Sequence, residues 1–139
     1  MAHQPSLGSC RDALPGVRQG GCRANTGRVP LCLNERAEWE LPGGRLEPGE
    51  ALRAAVEREV LEELGLAVAA GALLDAWTYE PAGADATVVV IAYAARLLDG
   101  ATELRCSAEH REARWFAVGD LRDLTMPEPY KRAIRLSAR

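Results

Sequence analysis

The sequence predicts one domain of mixed α/β structure, and three observations carry this prediction. A β-branched run at residues 88–91 is typical of a buried strand. Residues 50–64 contain helix-forming side chains without glycine or proline, and Gly65 follows where a left-handed helix cap is expected. Residues 130–136 form a second helical pattern. The length of 139 residues fits one compact domain.

The first part of the chain is the least regular. Residues 1–27 carry five glycines and show no period of 2 or 3.6, so we expect a loop or tail there. Residues 29–33 form a short strand pattern, in which Pro30 removes a backbone donor and suggests an edge or a bulge. Residues 38–41 form a second short extended piece, which the following Pro-Gly-Gly sequence ends.

The remaining elements alternate with turns. After the helix at 50–64 we expect strands at 73–80, 87–97 and 113–118. A short helix near residues 120–124 then precedes the terminal helix, which has Tyr130 and Ile134 on one face. The chain shows no internal repeat and no linker.

Composition excludes several classes of protein. Apolar residues make up 47% and charged residues 27%, which is ordinary for a soluble globular domain and argues against disorder over the whole length. The longest apolar run spans residues 87–95, only half of a membrane-spanning helix, and the N-terminus does not resemble a secretory signal. We therefore expect a cytoplasmic protein that does not associate with membranes.

The charge is distributed unevenly. The chain has 17 basic and 20 acidic residues, and the whole net charge of −3 arises between residues 44 and 66. Proteins that bind nucleic acid polymers usually show a basic patch instead. Acid concentrated in one short segment favours a bound cation.

The cysteines give little indication of function. Cys10, Cys22, Cys32 and Cys106 form no Cys-x-x-Cys pair, and no His-x-x-x-His sequence accompanies them. This spacing is atypical of a zinc site and favours reduced thiols in a cytosolic protein.

Three carboxylates share one face of the predicted helix. At 100° per residue, Glu59, Glu62 and Glu63 fall within an arc of about 100°. An adjoining apolar stripe can anchor the helix to a core, and its members are Val56, Val60 and Leu64. Like charges this close repel one another, and a divalent cation with a preference for oxygen ligands would relieve that repulsion. A solvated acidic face, partly neutralised by Arg58, is the alternative.

The surrounding sequence favours the cation. From Gly44 it reads Gly44-x5-Glu50-x7-Arg58-Glu59-Val60-x-Glu62-Glu63-x-Gly65-Leu66. This string resembles the Nudix box at every defined position, and the preceding Trp-Glu-Leu-Pro-Gly-Gly sequence resembles the usual lead-in of that family. The looser resemblance runs from about residue 28 to 134, so we expect a Nudix domain over residues 28–139.

The resemblance implies a fold, a cofactor and a reaction. It implies a Nudix-like α/β/α sandwich with a mixed sheet, and Mg²⁺-dependent cleavage of the diphosphate linkage of a nucleoside diphosphate derivative, with Mn²⁺ as a possible substitute. By position it makes Glu59, Glu62 and Glu63 metal-binding carboxylates, with the carbonyl of Gly43 as a further ligand. Arg58 would orient the carboxylates and Glu50 would support them.

A second polar group precedes the last predicted strand, in the sequence Ser107-Ala-Glu109-His110-Arg-Glu112. Nudix members often place a further catalytic carboxylate in this loop. We expect Glu109 to have this role, with Glu112 and Glu59 as alternatives for the general base. His110 is either a substrate contact or a residue that orders the loop. Candidate substrate contacts comprise Arg45, Trp77, Tyr79 and His110.

The substrate indications conflict. Pro81, fifteen positions after Leu66, resembles the mark of members that cleave ADP-ribose, whereas the Ser-x-Glu-His string resembles a loop of diadenosine-polyphosphate hydrolases. We expect a nucleotide sugar such as ADP-ribose or a nucleoside triphosphate as the small-molecule substrate. Diadenosine-polyphosphate hydrolysis and a catalytically silent nucleotide-binding module are the alternatives. Residues 1–27 lack the β-branched run that normally forms the family's first strand. That strand is then poorly formed or supplied by a partner chain of a homodimer, or the segment is atypical through its reading frame.

Overall fold

The chain folds into eight strands and three helices over the residues that the computed structural model describes, which are 17–18, 22–23, 27–80, 87–100 and 102–137. The strands are β1 (Val17–Arg18), β2 (Cys22–Arg23), β3 (Arg28–Leu33), β4 (Trp39–Glu40), β5 (Gly43–Gly44), β6 (Val68–Tyr79), β7 (Val88–Leu97) and β8 (Glu112–Ala117). The helices are α1 (Leu52–Leu64), a 3₁₀ helix (Val118–Asp123) and α2 (Glu128–Ser137).

The strands form two three-stranded sheets and one short ladder. The first sheet has the order β2-β7-β6, in which β6 and β7 are antiparallel and β2 is parallel to β7. The second sheet has the antiparallel order β4-β3-β8, and β1 pairs antiparallel with β5. The parallel and antiparallel pairs in one sheet agree with the expected mixed sheet.

Alternate residues of the strands face two different helices. On β3, Val29 and Leu31 belong to the core cluster that contains Tyr130 and Ile134 of α2. Cys32, with the opposite orientation, belongs to a cluster with Val60 and Leu64 of α1. Because side chains alternate across a strand, the two helices cover opposite faces. This arrangement is the predicted α/β/α sandwich.

Most predicted elements are present with small shifts at their ends. Helix α1 begins two residues later than expected and ends at Leu64, and the predicted apolar stripe of α1 is buried. The run at 88–91 lies in β7, where Val88 and Val90 are buried as predicted. Tyr130 and Ile134 are also both buried on α2.

Four expectations differ from the structure. The segment before residue 27, expected to be irregular, contributes β1 and β2, which are held by pairing with β5 and β7. Strand β6 begins at Val68 instead of residue 73, because pairing with β7 outweighs the weak strand preference of its Ala- and Gly-rich start. The short helix is a 3₁₀ helix that begins earlier, at Val118.

Pro30 is the fourth difference. It lies on β3, which is the middle strand of its sheet and not an edge. Pro30 pairs with Trp115 of β8, whereas β4 reaches only Cys32 and Leu33 on the other side. The missing backbone donor is tolerated because, among the described strands, β3 has one neighbour at this position.

No helix in the described ranges has the length and apolar character needed to cross a membrane.

Gly65 ends α1 in the left-handed conformation. Its φ is 72°, and its backbone N–H donates to the carbonyl of Leu61 at 2.9 Å. The guanidinium of Arg105 donates to the same carbonyl at 3.1 Å and fills the space that a Cβ atom at Gly65 would enter. The turn therefore requires glycine.

We expect Gly65→Ala to lower the free energy of unfolding by about 1–3 kcal/mol, because alanine would be strained at this φ. Denaturant unfolding measures the change. Gly119→Ala is the matched control, since a Cβ atom there meets nothing within 4 Å, and its effect should stay within about 0.5 kcal/mol. Equal losses in both variants would contradict this account of the helix end.

Candidate active site

A polar cleft of about 460 Å³ lies where the loop before α1, helix α1 and the loop before β8 meet. Its lining contains five carboxylates and two basic side chains. The residues are Glu40, Gly43, Gly44, Arg45, Glu59, Glu62, Glu63, Glu109 and His110. The structure thus brings together all the residues predicted to bind metal, together with Glu109, His110 and Arg45.

The two glycines let the loop approach α1 closely. The backbone N–H of Gly43 donates to Oε2 of Glu63 at 2.8 Å. A Cβ atom at Gly44 would overlap the carboxylate of Glu59. Glu63 is 3% exposed and Glu59 is half-buried, so the close approach fixes both carboxylates at the floor of the cleft.

Arg58 connects the carboxylates. Its guanidinium donates to Glu50 at 2.7 and 3.0 Å, to Glu59 at 3.0 Å and to Glu62 at 3.1 Å. It also donates to the backbone carbonyl of Arg45 at 3.1 Å. One side chain therefore ties the loop before α1 to two of the helix carboxylates.

The pKa values of the carboxyl groups differ according to these contacts. The hydrogen bond from Arg58 lowers the pKa of Glu50, and the Glu50 carboxylate in turn raises the pKa of Arg58. Burial raises the pKa of Glu59 despite the opposing contact with Arg58, and the nearby charges of Glu62 and Glu109 act in the same direction as burial. The cleft thus disfavours the ionised form of Glu59 unless a positive charge is added.

The loop before β8 is fastened to the end of α1. The backbone N–H groups of Arg105 and Ser107 donate to the carbonyls of Leu64 at 2.8 Å and Glu63 at 3.2 Å. His110 Nε2 lies 3.0 Å from Oε1 of Glu40. These contacts place the exposed side chain of Glu109 on the rim of the cleft.

Glu112, the alternative to Glu109, lies elsewhere. It is the first residue of β8, and its carboxylate forms an ion pair with Arg114 of the same strand. It does not line the cleft. The geometry therefore favours Glu109 over Glu112 as the loop carboxylate.

Trp77 and Tyr79 line a second cavity, of about 440 Å³. Trp77 also packs edge-on against Tyr130, with ring centroids 5.4 Å apart, so part of its surface belongs to the core. The cavity has the polar side chains of Arg36, Glu38, Glu40 and Glu80 around these aromatic rings. The predicted substrate contacts are thus divided between two cavities.

Glu40 is a functional candidate that sequence reasoning missed. It is 7% exposed and lines both cavities. Its Oε2 accepts a hydrogen bond from the amide of Asn34 at 3.3 Å, while its Oε1 contacts His110. The only signal in the sequence is its place in the lead-in before Gly43.

Pro81, used above as a substrate indication, lies outside the described residues.

The donor set fits a hard divalent cation. Carboxylate oxygens from Glu59, Glu62 and Glu63 line one cleft, beside the backbone of Gly43. Mg²⁺ and Mn²⁺ prefer such oxygen ligands. A cation there would also offset the repulsion among carboxylates that a single guanidinium only partly neutralises.

Comparison with solved structures reveals the same fold in known proteins. The MutT protein of Methanosarcina mazei superposes with a TM-score of 0.74 over 88% of this chain and 91% of its own, at 23% identity. The MutT NUDIX hydrolase of Burkholderia pseudomallei superposes with a TM-score of 0.69 over 87% of this chain and 95% of its own, at 27% identity.

Sequence comparison gives the family. A Mycobacterium tuberculosis protein named "Putative 8-oxo-dGTP diphosphatase 2" is 40% identical over 86 residues, which are 62% of this chain. The match spans 58% of that relative's length. The family model described as the NUDIX domain matches residues 21–136, and it therefore includes β2 from the segment that was expected to be irregular. Because the family model matches most of the chain, and because the fold is shared, the chain belongs to the NUDIX domain family.

Proposed function

We propose that this protein is a Mg²⁺-dependent hydrolase that cleaves the diphosphate linkage of a nucleotide. The observation that carries the proposal is the convergence of Glu59, Glu62, Glu63 and Glu109 on one cleft beside the backbone of Gly43. Family membership supports the same activity. A module that only binds nucleotides has no need for all four carboxylates.

The cation would be held by Glu59, Glu62 and Glu63, with the carbonyl of Gly43 as a further ligand. Bound Mg²⁺, or Mn²⁺ in its place, supplies positive charge that offsets the phosphate oxygens and makes water more acidic. Arg58 and Glu50 keep the carboxylates oriented, and the Gly43 N–H fixes Glu63. This preorganisation lowers the cost of assembling the site when substrate binds.

Glu109 is the proposed general base. Its side chain is on the rim of the cleft and is exposed, so one of its carboxylate oxygens can accept the proton of the attacking water. Glu59 and Glu63, in contrast, are committed to the cation, and coordination lowers their proton affinity. Arg45 is the cationic side chain in the lining that can contact the substrate phosphates.

We propose a nucleoside triphosphate with an oxidised guanine as the substrate. The name of the Mycobacterium tuberculosis relative supports this choice over ADP-ribose. The second cavity supplies the rings of Trp77, Tyr79 and Tyr130 for stacking and a carboxylate, Glu38, as a hydrogen-bond acceptor. Because Glu40 lines both cavities, a base in the second one would lie next to phosphates in the first.

A substrate panel tests this function. We expect 8-oxo-dGTP to be hydrolysed with a kcat/KM at least about tenfold above that for dGTP, ADP-ribose or diadenosine tetraphosphate, which corresponds to about 1.4 kcal/mol of discrimination. Activity should require Mg²⁺ and disappear with a chelator. Product analysis in ¹⁸O-water would identify the phosphorus attacked. Absence of turnover on the whole panel, by folded protein with Mg²⁺, would favour the binding module.

The first mutational prediction concerns Glu63. Glu63→Gln keeps the shape and an acceptor for the Gly43 N–H, but it removes the charge. We expect kcat/KM to fall by about a hundredfold or more, roughly 3 kcal/mol of transition-state stabilisation, with folding retained. Glu47→Gln is the control, because the side chain of Glu47 is 64% exposed and its carboxylate comes no nearer than 3.7 Å to the guanidinium of Arg58. Similar losses in both variants would mean that general acidity, and not site geometry, supports the reaction.

The second mutational prediction concerns Glu109. We expect Glu109→Gln to lower kcat far more than it raises KM, because the base acts in the transition state and binds the ground state little. Mg²⁺ affinity without substrate, measured by calorimetry, should stay largely intact. Glu112→Gln should have the smaller effect on kcat. A larger loss of kcat in Glu112→Gln than in Glu109→Gln would indicate that Glu112 is the base.

A further inference from the structure

Three side chains of types that can ligate a metal meet at the floor of the cleft. Cys32 of β3, Glu63 of α1 and His110 of the loop before β8 each bring a ligand atom to within 4.8 Å of the other two. Cys32 is 1% exposed, Glu63 is 3% exposed and the His110 side chain is 8% exposed. The set combines sulfur, oxygen and nitrogen, whereas the other carboxylates of the cleft offer oxygen alone.

This donor set favours a different class of cation. Thiolate and imidazole ligands select borderline or soft ions such as Zn²⁺, whereas Mg²⁺ prefers oxygen. Tetrahedral zinc with bonds of about 2.0–2.3 Å requires ligand atoms about 3.4–3.6 Å apart. The three atoms lie within 4.8 Å of one another, so they would need to move together by at most roughly 1 Å to bind zinc.

Two surrounding contacts already orient these ligands. Oε1 of Glu40 lies 3.0 Å from Nε2 of His110, which is the carboxylate–histidine arrangement that directs an imidazole towards a metal. The backbone N–H of Gly43 fixes Oε2 of Glu63. Since Glu63 and His110 line the cleft, an ion can reach the cluster from solvent through the same opening.

We infer that Cys32, Glu63 and His110 form a binding site for a thiophilic divalent cation such as Zn²⁺. The cysteine spacing gives no hint of it, because the ligands come from three distant parts of the chain. Glu63 belongs both to this site and to the proposed Mg²⁺ site. Zn²⁺ at the buried site therefore withdraws Glu63 from the cleft and inhibits hydrolysis, a consequence that rests on the proposed function.

The binding test uses Co²⁺ as a spectroscopic substitute for Zn²⁺. The 139-residue chain, freed of metal by a chelator, should bind Co²⁺ and show a sulfur-to-cobalt charge-transfer band in the near ultraviolet. Added Zn²⁺ should remove the band. Cys32→Ser should abolish it, whereas Cys106→Ser, which changes an exposed cysteine, should keep it. Absence of the band in the parent protein, or its survival in Cys32→Ser, would overturn the inference.

A second variant keeps the test decisive if Cys32→Ser does not fold. Glu40→Gln leaves all three ligands in place and weakens the carboxylate contact that positions His110. We expect its Co²⁺ affinity to fall about 10–100-fold while the band remains, as is typical for loss of such a supporting carboxylate. Unchanged Co²⁺ affinity in Glu40→Gln would exclude His110 as an oriented ligand and contradict the site.

The inhibition test separates this inference from the proposed function. In Mg²⁺-supported hydrolysis, the Zn²⁺ concentration that halves activity should rise at least about tenfold in Cys32→Ser, because one of three ligands is lost. The Cys106→Ser control should match the parent. A parent protein that shows the cobalt band but hydrolyses no nucleotide would refute the proposed function and leave the metal site established.

Discussion

The hydrogen bonds of the Arg58 guanidinium are the interaction on which the geometry of the cleft depends. This single side chain holds Glu50, Glu59, Glu62 and a backbone carbonyl of the loop before α1. Its planar set of donors suits several carboxylates at once, as an ammonium group would not. Without it, the acidic side chains would repel one another and the loop would lose its attachment to the helix. The arrangement of the cleft is thus an electrostatic balance as much as a packed structure.

The groups of the protein alone do not fully compensate the charges of the carboxylates in the cleft. The pKa of Glu59 is raised mainly by burial, so the folded state binds the proton more tightly than the unfolded chain does. The ionised carboxylate therefore lowers stability progressively as the pH rises through this pKa. Glu63 is still more buried. Such strain is typical of functional sites, where stability is lowered to keep charged groups ready for a ligand that compensates them.

The sequence predicts the parts of the site that are local. Helix α1, its acidic face and its glycine cap follow from the spacing of residues 44–66 alone, and Glu109 follows from the family resemblance. Glu40 and Cys32 could not be found this way, because their importance arises from proximity to His110 and Glu63, which lie far away in the sequence. The strands β1 and β2 were not predicted from the sequence for a related reason. They consist of two residues each, and pairing with distant strands, rather than local preference, defines them.

Glu40 forms a wall common to both cavities. Its carboxyl group contacts His110 on one side and lies beside the cavity of Trp77 on the other, so a ligand in either cavity would change the electrostatic environment of the same buried group. By thermodynamic reciprocity, the factor by which a base in one cavity would alter cation affinity in the other equals the factor by which the cation would alter affinity for the base. Under the proposed function, recognition of the base and binding of the cation are therefore energetically coupled through one carboxylate.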